Sequence, residues 1–340
     1  MRNVFAVTAA LALLGLSIAA QANVFDLGTG YTNLETVAVG DPGNAADTSY
    51  ASPGYGSVGY NYNIGKYEVT AKQYTDFLNN KAKSDPHGLY NTVMGDLSRT
   101  GVCNIQRTGT SGSYAYSVAS DWANRPVNWV SYWDSCRFAN WLGNGQGNGD
   151  TETGAYTLNG YNGTDGRTIQ RNAGATWAVT SEDEWYKAAY YKGGGTTAGY
   201  WDYPTKRDTL PSNVGSDCYA DPGNHANYYS DGFTYTIGSP YYRTIVGEFE
   251  KSGSAYGTFD HGGNVWELNE AIMSGAYRGA RGGSFSDSGN RVKASSRGVV
   301  GPSIEGYIVG FRVVLVPEPS SIITLAGGLV GLLGIRRRRT

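Results

Sequence analysis

The chain has 340 residues, of which 16% are charged, 40% are hydrophobic and 13% are aromatic. Few charges and many aromatic residues exclude an intrinsically disordered chain and predict a folded, loop-rich body held by aromatic packing. The formal net charge is −2, and leaving out the five arginines near the termini lowers the basic count from 27 to 22 against 29 acidic residues, which gives −7. A negatively charged body disfavours nucleic acid and anionic membranes as partners.

The first 22 residues read as a signal peptide. Arg2 supplies the positive charge, residues 4–20 are apolar, and the small residues Ala20 and Ala22 flank Gln21 as in a cleavage site. We therefore predict export, with cleavage after Ala22. An uncleaved anchor helix is the alternative.

The next segment leads into the first organised elements. Residues 23–59 are rich in Gly, Asn, Ala and Asp and predict an irregular lead-in, whereas residues 60–69 predict a strand. Thr70 and Gln73 have the spacing of a capping box and predict a helix that begins after Thr70. Its buried face should carry Tyr74, Phe77 and Leu78.

Two further helices are indicated along the chain. Residues 81–121 are a poorly patterned insertion. After it, Ser131 and Asp134 mark the start of a second helix. Gly143 is predicted to be the left-handed residue that follows the end of this helix. Residues 144–166 are rich in Gly, Asn and Thr and should lie on the surface. The buried face of the helix that begins after Ser131 should carry Phe138, Trp141 and Leu142.

The third helix start is another capping box, formed by Ser181 and Glu184, with Trp185, Ala188 and Ala189 facing inward.

The cysteines are Cys103, Cys136 and Cys218. In an oxidising compartment an odd number allows one disulfide and leaves one thiol, and the sequence leaves the pairing open.

Residues 258–312 form a Gly-dense stretch with three short motifs, GGNVWEL at 262–268, RGGSF at 281–285 and GFR at 310–312. Asp260, Asn264 and Glu267 bring oxygen ligands together over a short span, as a hard cation such as calcium requires. The alternative is that these side chains only cap turns. The large side chains predicted as core anchors are Trp266, Phe285 and Phe311.

These motifs, together with KYEVT at 66–70 and VTSEDEW at 179–185, resemble the formylglycine-generating enzyme (sulfatase-modifying factor) family. The resemblance spans residues 60–315 as one domain. It implies an α+β, C-type-lectin-like fold that is loop-rich and has little regular secondary structure. A resemblance of this kind settles fold more than activity.

The resemblance also implies calcium as a structural cofactor at two places. The first would use the side chains of Asp260 and Glu267 and backbone oxygens near Gly263 and Val265. The second would lie at Asn227 and Tyr228, with Asp231 as a distal ligand, and a polar loop without metal is the alternative there.

The oxidase members of the family bind copper(I) through two cysteines after RGGS. Asp287 and Val292 occupy those positions here, so we expect no copper and no formylglycine-generating activity, and we assign no catalytic residue. The histidines are scattered and show no metal-ligand spacing; they are His87, His225 and His261. The remaining candidates for a ligand groove are Arg281, Ser284, Asp287 and Arg297.

Residues 316–340 contain the motif Pro317-Glu318-Pro319, a short apolar run at 322–335 and the arginines 336–339. They resemble the PEP-CTERM sorting signal of Gram-negative bacteria. The resemblance implies transient anchoring in the inner membrane by a short transmembrane segment, processing by an exosortase, and a final place at the cell surface or outside the cell. A plain C-terminal membrane tail is the alternative.

Our functional hypothesis is an exported surface or matrix protein. Its noncatalytic domain would act as a calcium-stabilised binding module for an extracellular polysaccharide or another surface ligand. A divergent metal-dependent oxidoreductase of the same superfamily, acting on an exported substrate, is the competing hypothesis. A purely structural surface protein is the third.

Overall fold

A computed structural model describes residues 32–214, 223–230, 232 and 234–317. The predicted signal peptide, Cys218, Asp231 and the sorting segment from residue 318 onward lie outside this range. Within it, none of the helices is both long and apolar enough to span a bilayer.

Short elements connected by long loops make up the described chain. The helices are α1 (Ala71–Lys81), α2 (Ser120–Ala123), α3 (Tyr132–Gly143) and α4 (Glu182–Tyr190), with 3₁₀ turns at Thr92–Gly95 and Gly289–Arg291. The strands are β1 (Thr36–Val39), β2 (Tyr62–Gly65), β3 (Ile105–Thr108), β4 (Ala115–Val118), β5 (Trp177–Val179), β6 (Trp266–Met273), β7 (Tyr277–Arg281), β8 (Gly298–Val300), β9 (Val309–Phe311) and β10 (Val313–Leu315).

The strands form two four-stranded sheets and one hairpin. The first sheet has the order β1-β2-β10-β5 and is antiparallel, with Val314 opposite Ile64 on one side and Ala178 on the other. The second has the order β8-β7-β6-β9, in which β6 and β9 run parallel. Strands β9 and β10 are separated by Arg312 alone, so this one residue joins the two larger sheets.

Aromatic side chains fill the core between α1, α3 and β9. The ring of Phe138 lies 5.4 Å from Phe77, 5.7 Å from Trp141 and 5.3 Å from Phe311. All four side chains are fully buried. The predicted buried faces of α1 and α3, and the predicted anchor Phe311, are confirmed by these contacts.

The three predicted helix starts are confirmed. Thr70, Ser131 and Ser181 are N-caps, and each forms a reciprocal capping box with the residue three positions later. The prediction for Gly143 was wrong, because Gly143 is the last helical residue and the C-cap Asn144 has φ −90°. The first left-handed residue is Gly145, with φ +84°.

Several segments predicted as irregular contain structure. The 23–59 lead-in includes β1, the insertion at 81–121 contains the β3–β4 hairpin and α2, and the strand predicted over 60–69 is reduced to β2. Strands of four residues are too short for an alternation of apolar and polar residues to stand out. The 144–166 segment is not confined to the surface, because Tyr156 is fully buried and donates to Glu270 Oε1 at 2.5 Å.

The mixed sheets, few helices and long loops confirm the predicted α+β, loop-rich class. The C-type-lectin-like part of the prediction stays a prediction.

We expect Thr70→Ala to lower the free energy of unfolding by about 1 kcal/mol, because the Thr70 hydroxyl accepts the N–H of Gln73 at the start of α1. Equilibrium unfolding in urea measures the loss. Thr70→Ser is the matched control, since it removes the same methyl group and keeps the oxygen. An equal loss in both variants would contradict a capping role.

Candidate functional site

The GGNVWEL and GFR motifs meet in a buried ion pair. Arg312 donates from Nε to Glu267 Oε2 at 2.9 Å and from Nη2 to Oε1 at 2.8 Å, and Trp185 Nε1 donates to Oε2 at 2.8 Å. Arg312 also donates to the backbone oxygens of Gly65 and Phe259. One guanidinium group therefore ties β6 to β2 and to the loop before β6.

Two further buried carboxylates lie around the same arginine. A Glu68 carboxylate oxygen is 3.9 Å from Arg312 Nη2, and neither oxygen of Glu68 has a hydrogen-bond partner in the described chain. Burial raises the pKa of Glu68, and the charges of Asp260 and Glu267 raise it further. Burial likewise raises the pKa of Asp260 to about 6, although the N–H of Gly247 donates to its Oδ2.

The residues predicted for the first calcium site fit a cation only in part. Glu267 does not fit, because Arg312 and Trp185 already donate three hydrogen bonds to its two oxygens. Asp260 fits better, since its charge lacks a paired cation of its own. Among the described residues, no group of three or more His, Cys, Asp or Glu side chains is arranged to hold a metal ion.

Sequence reasoning missed Glu68 as a member of this cluster. Its only signal was its place in the KYEVT motif, read as the end of a strand. The two predicted backbone ligands are also buried, and a Cβ atom added at Gly263 would lie 2.0 Å from the carbonyl oxygen of Asn227. Glycine is therefore required at 263 by this close approach, whatever the ligand.

The second predicted calcium site has one free acceptor. Asn227 Nδ2 donates to Tyr242 O and to Asn264 Oδ1, whereas its Oδ1 is buried without a partner in the described residues. The carbonyl oxygen of Tyr228 already accepts from Asn213 Nδ2 at 3.0 Å. Asn227 and Tyr228 stay predicted ligands, and Asp231 lies outside the described residues.

Arg281 and Arg297, predicted to flank a ligand groove, both bind Glu182. Arg281 Nε donates to Oε1 at 2.8 Å, and Arg297 donates to Oε1 at 2.6 Å and to Oε2 at 2.5 Å. Arg281 is fully buried and also donates to the carbonyl oxygens of Ala294 and Ser296. Of the two, only Arg297 is partly exposed, and both hold the RGGS loop against α4.

Ser284 and Asp287, the other two groove candidates, are hydrogen-bonded to each other. The Ser284 hydroxyl and Trp266 Nε1 both donate to Asp287 Oδ2, the latter at 2.8 Å. Val292 is fully buried in a small apolar cluster with Tyr203, Ala226 and Tyr228. The two positions that carry copper-binding thiolates in the oxidases thus hold a fixed carboxylate and a packed aliphatic side chain.

The described cysteines lie elsewhere in the fold. Cys136 is on α3 and Cys103 precedes β3; both are buried and free of a disulfide, and burial raises the pKa of each thiol. Cys218 lies outside the described residues, so the pairing question stays open.

An aromatic surface surrounds the RGGS loop, and sequence reasoning missed it because its members come from separate segments. Tyr242 and Tyr307 lie 5.6 Å and 6.0 Å from Phe285, and Tyr235 lies 5.0 Å from Tyr242. Tyr235 and Tyr307 are each 39% exposed. We define the aromatic surface as Trp129, Tyr229, Tyr235, Tyr242 and Tyr307, several of which pack against the buried ring of Phe285.

The aromatic surface adjoins position 287 and is held rigidly. The N–H of Tyr229 donates to the carbonyl oxygen of Asp287 at 2.8 Å, and Asn128 Nδ2 donates to that of Tyr307 at 2.5 Å. Trp129 and Tyr242 have φ of +59° and +56°, left-handed conformations that bulky residues rarely adopt. Such strain persists where surrounding contacts fix the backbone, and it is concentrated at functional sites.

The three histidines do not meet at one place. His87 Nε2 lies 3.5 Å from Glu152, whereas His261 is buried with its ring 4.6 Å from that of Trp185. Burial and the nearby charge of Arg312 lower the pKa of His261, so it stays neutral. His261 and His225 line a small cavity of about 10 Å³, which has room for one water molecule.

Two protein-family models match the sequence of this chain. The model of the sulfatase-modifying factor enzyme 1-like domain matches residues 37–316, and that of the PEP-CTERM protein-sorting motif matches residues 315–339. No curated protein matches the chain.

Similar folds occur in solved structures. The crystal structure of CarF is 23% identical with a TM-score of 0.52, covering 84% of this chain and 99% of that one. Variable protein 1 of Treponema denticola is 17% identical with a TM-score of 0.50, covering 85% and 98%. PvdO from Pseudomonas aeruginosa is 19% identical with a TM-score of 0.47, covering 85% and 96%. At these identities the likeness to CarF and to variable protein 1 shows the fold alone, and nothing is argued from PvdO.

We expect Arg312→Met to lower the free energy of unfolding by about 3 to 5 kcal/mol, because it leaves Glu267 buried without its partner. Arg99→Met is the control, since Arg99 is exposed and lies 3.6 Å from Asp96, and it should change stability by less than about 0.5 kcal/mol. Similar losses in the two variants, measured in guanidinium chloride, would rule out the buried ion pair as a major stabilising contact.

Proposed function

We propose that this chain, which belongs to the sulfatase-modifying factor enzyme 1-like family, binds saccharide at the surface of the cell that exports it and catalyses no reaction. The PEP-CTERM motif indicates an exported protein of a Gram-negative bacterium that is sorted by an exosortase. The binding role, its ligand and the absence of catalysis are our inference.

The absence of catalysis is argued from the side chains that occupy the oxidase positions. Copper(I) requires soft thiolate ligands, and a carboxylate at 287 with a valine at 292 supplies none. Asp287 is also occupied, because Ser284 and Trp266 both donate to its Oδ2. A hydrogen-bonded carboxylate beside a packed aliphatic side chain offers neither an electron carrier nor an activated nucleophile.

The aromatic surface is the single observation that favours binding. Exposed tyrosine rings on a rigid backbone present flat apolar faces with hydroxyl groups at the edge. The C–H faces of a sugar ring pack on such rings, while its hydroxyl groups bond to the edge. A surface that is pre-organised in this way loses little conformational entropy on binding.

We expect the purified exported protein to be retarded in electrophoresis gels that contain a neutral polysaccharide such as dextran, galactomannan or laminarin. The double variant Tyr235→Ala, Tyr307→Ala should weaken this retardation about tenfold, as loss of stacking by two rings predicts. Tyr235→Phe, Tyr307→Phe keeps the rings and should retain most of the binding.

The same protein should not oxidise a cysteine-containing peptide substrate of the oxidase type. Turnover of the peptide thiol by the pure protein would overturn the noncatalytic part of the proposal. Normal mobility in every polysaccharide gel would overturn the saccharide part.

Structural calcium is part of the proposal, with a changed ligand set. Glu68 and Asp260 would hold the ion, because both are buried and neither oxygen of Glu68 accepts a hydrogen bond in the described chain. A divalent cation there would balance their charge, which hard oxygen ligands favour. Gly263, Val265, Asn227 and Tyr228 stay predicted ligands.

We expect calcium at a hundredfold excess over its dissociation constant to raise the free energy of unfolding by about 2.7 kcal/mol relative to chelator. Glu68→Gln should remove most of this gain, because it keeps the size of the side chain and replaces the carboxylate by a neutral amide. Glu35→Gln, at a carboxylate that is 52% exposed, is the control. Equal stability of the parent protein in calcium and in chelator would contradict the site.

A further inference from the structure

A second recess lies apart from the aromatic surface. It is an open groove of about 320 Å³ between residues 45–50 and residues 191–202. We call it the tyrosine groove, and its aromatic and acidic lining consists of Asp47, Tyr50, Tyr191, Tyr200, Trp201 and Asp202. None of these residues belongs to the sequence motifs or to the predicted ligand positions.

The walls of the tyrosine groove are joined by hydrogen bonds at its base. The N–H of Ala45 donates to the carbonyl oxygen of Thr196 at 3.2 Å, and the Tyr200 hydroxyl donates to that of Ala45 at 2.8 Å. Trp201 N donates to the carbonyl oxygen of Tyr190 at the end of α4. The groove is thus formed before any ligand arrives, which lowers the entropic cost of binding.

Tyr50 reaches from one wall to the other, where its hydroxyl donates to Asp202. Its ring is 37% exposed. On the far wall, the ring of Trp201 has Lys192 Nζ 4.3 Å from its centroid. Rings on both walls, with hydroxyl and carboxylate groups between them, leave a slot whose sides are apolar and whose rim can form hydrogen bonds.

The charged groups at the tyrosine groove have polar partners. Asp202 pairs with Lys293 Nζ at 3.2 Å, and Asp47 accepts from the Tyr186 hydroxyl at 2.6 Å and from the N–H of Ser49 at 2.9 Å. The ammonium of Lys192 beside Trp201 provides a second positive charge. The carboxylate of Asp208 also lies here and accepts from the N–H of Asp202 at 3.0 Å. Three carboxylates beside two ammonium groups disfavour an anionic ligand.

We infer that the tyrosine groove binds a neutral sugar of one or two rings. Its volume is at the lower end of the range for small-molecule sites. Aromatic faces for the ring C–H groups and carboxylates as acceptors for the hydroxyl groups are the contacts that such a ligand needs. This inference rests on the proposed saccharide-binding function and assigns it a groove subsite in addition to the aromatic surface.

Titration calorimetry with the neutral disaccharides maltose, cellobiose and lactose tests the inference on the exported protein. We expect one of them to bind, and we expect Trp201→Ala and Tyr50→Ala each to weaken it at least tenfold. Trp201→Phe should retain most of the affinity because it keeps a stacking face. Tyr50→Ala serves if Trp201→Ala fails to fold, since the Tyr50 ring is partly exposed.

Two controls separate this inference from the proposed function. Tyr277→Ala removes an exposed ring from β7, outside both surfaces, and should change nothing. The double variant Tyr235→Ala, Tyr307→Ala should still bind the disaccharide, although polysaccharide retardation falls.

One outcome would overturn the groove and leave the proposed function standing. In it, polysaccharide gels retard the parent protein, but the parent binds no disaccharide or both groove variants bind it as tightly as the parent does. Absence of any saccharide binding by the parent protein would overturn both the groove and the proposed function. The inference would also be overturned if the parent protein bound choline and no disaccharide, and if the Trp201 and Tyr50 variants lost the choline binding. The ligand of the groove would then be a cation and not a sugar.

Discussion

The buried pair of Arg312 and Glu267 is the contact on which the rest of the fold depends. Arg312 stands between β9 and β10, so its guanidinium lies where both four-stranded sheets meet, and Trp185 adds α4 to the same carboxylate. A chain with so little regular structure leaves many loop carbonyls without ladder partners. Buried arginines supply donors for them, and those that donate hydrogen bonds to loop carbonyls include Arg243, Arg278, Arg281 and Arg312.

Sequence predicted the parts of the fold that local chemistry determines. The three capping boxes have a fixed spacing, and the core rings of α1 and α3 follow helical periodicity. Strands of three or four residues, such as β1, give no measurable alternation, and Tyr156 is buried through a partner 114 residues away. The aromatic surface and Glu68 were missed for the same reason, since only the tertiary fold brings their partners together.

The family's architecture is kept while its reactive groups are replaced. The RGGSF and GGNVWEL motifs are present, and the side chains at 287 and 292 are hydrogen-bonded and packed, respectively. Aromatic rings from separate segments surround the loop, and two of them, Tyr235 and Tyr307, are each 39% exposed. Export and surface sorting, which the PEP-CTERM motif indicates, would place those rings among extracellular polysaccharides.

Elemental analysis of the purified exported protein, dialysed against a weak chelator, tests the central claim most directly. The account predicts calcium as the bound metal, with copper and iron at trace levels, because Asp287 and Val292 provide no soft ligand and the described histidines do not converge. Copper or iron in a whole-number ratio to the protein would contradict the account. The protein would then have to be reconsidered as an oxidoreductase.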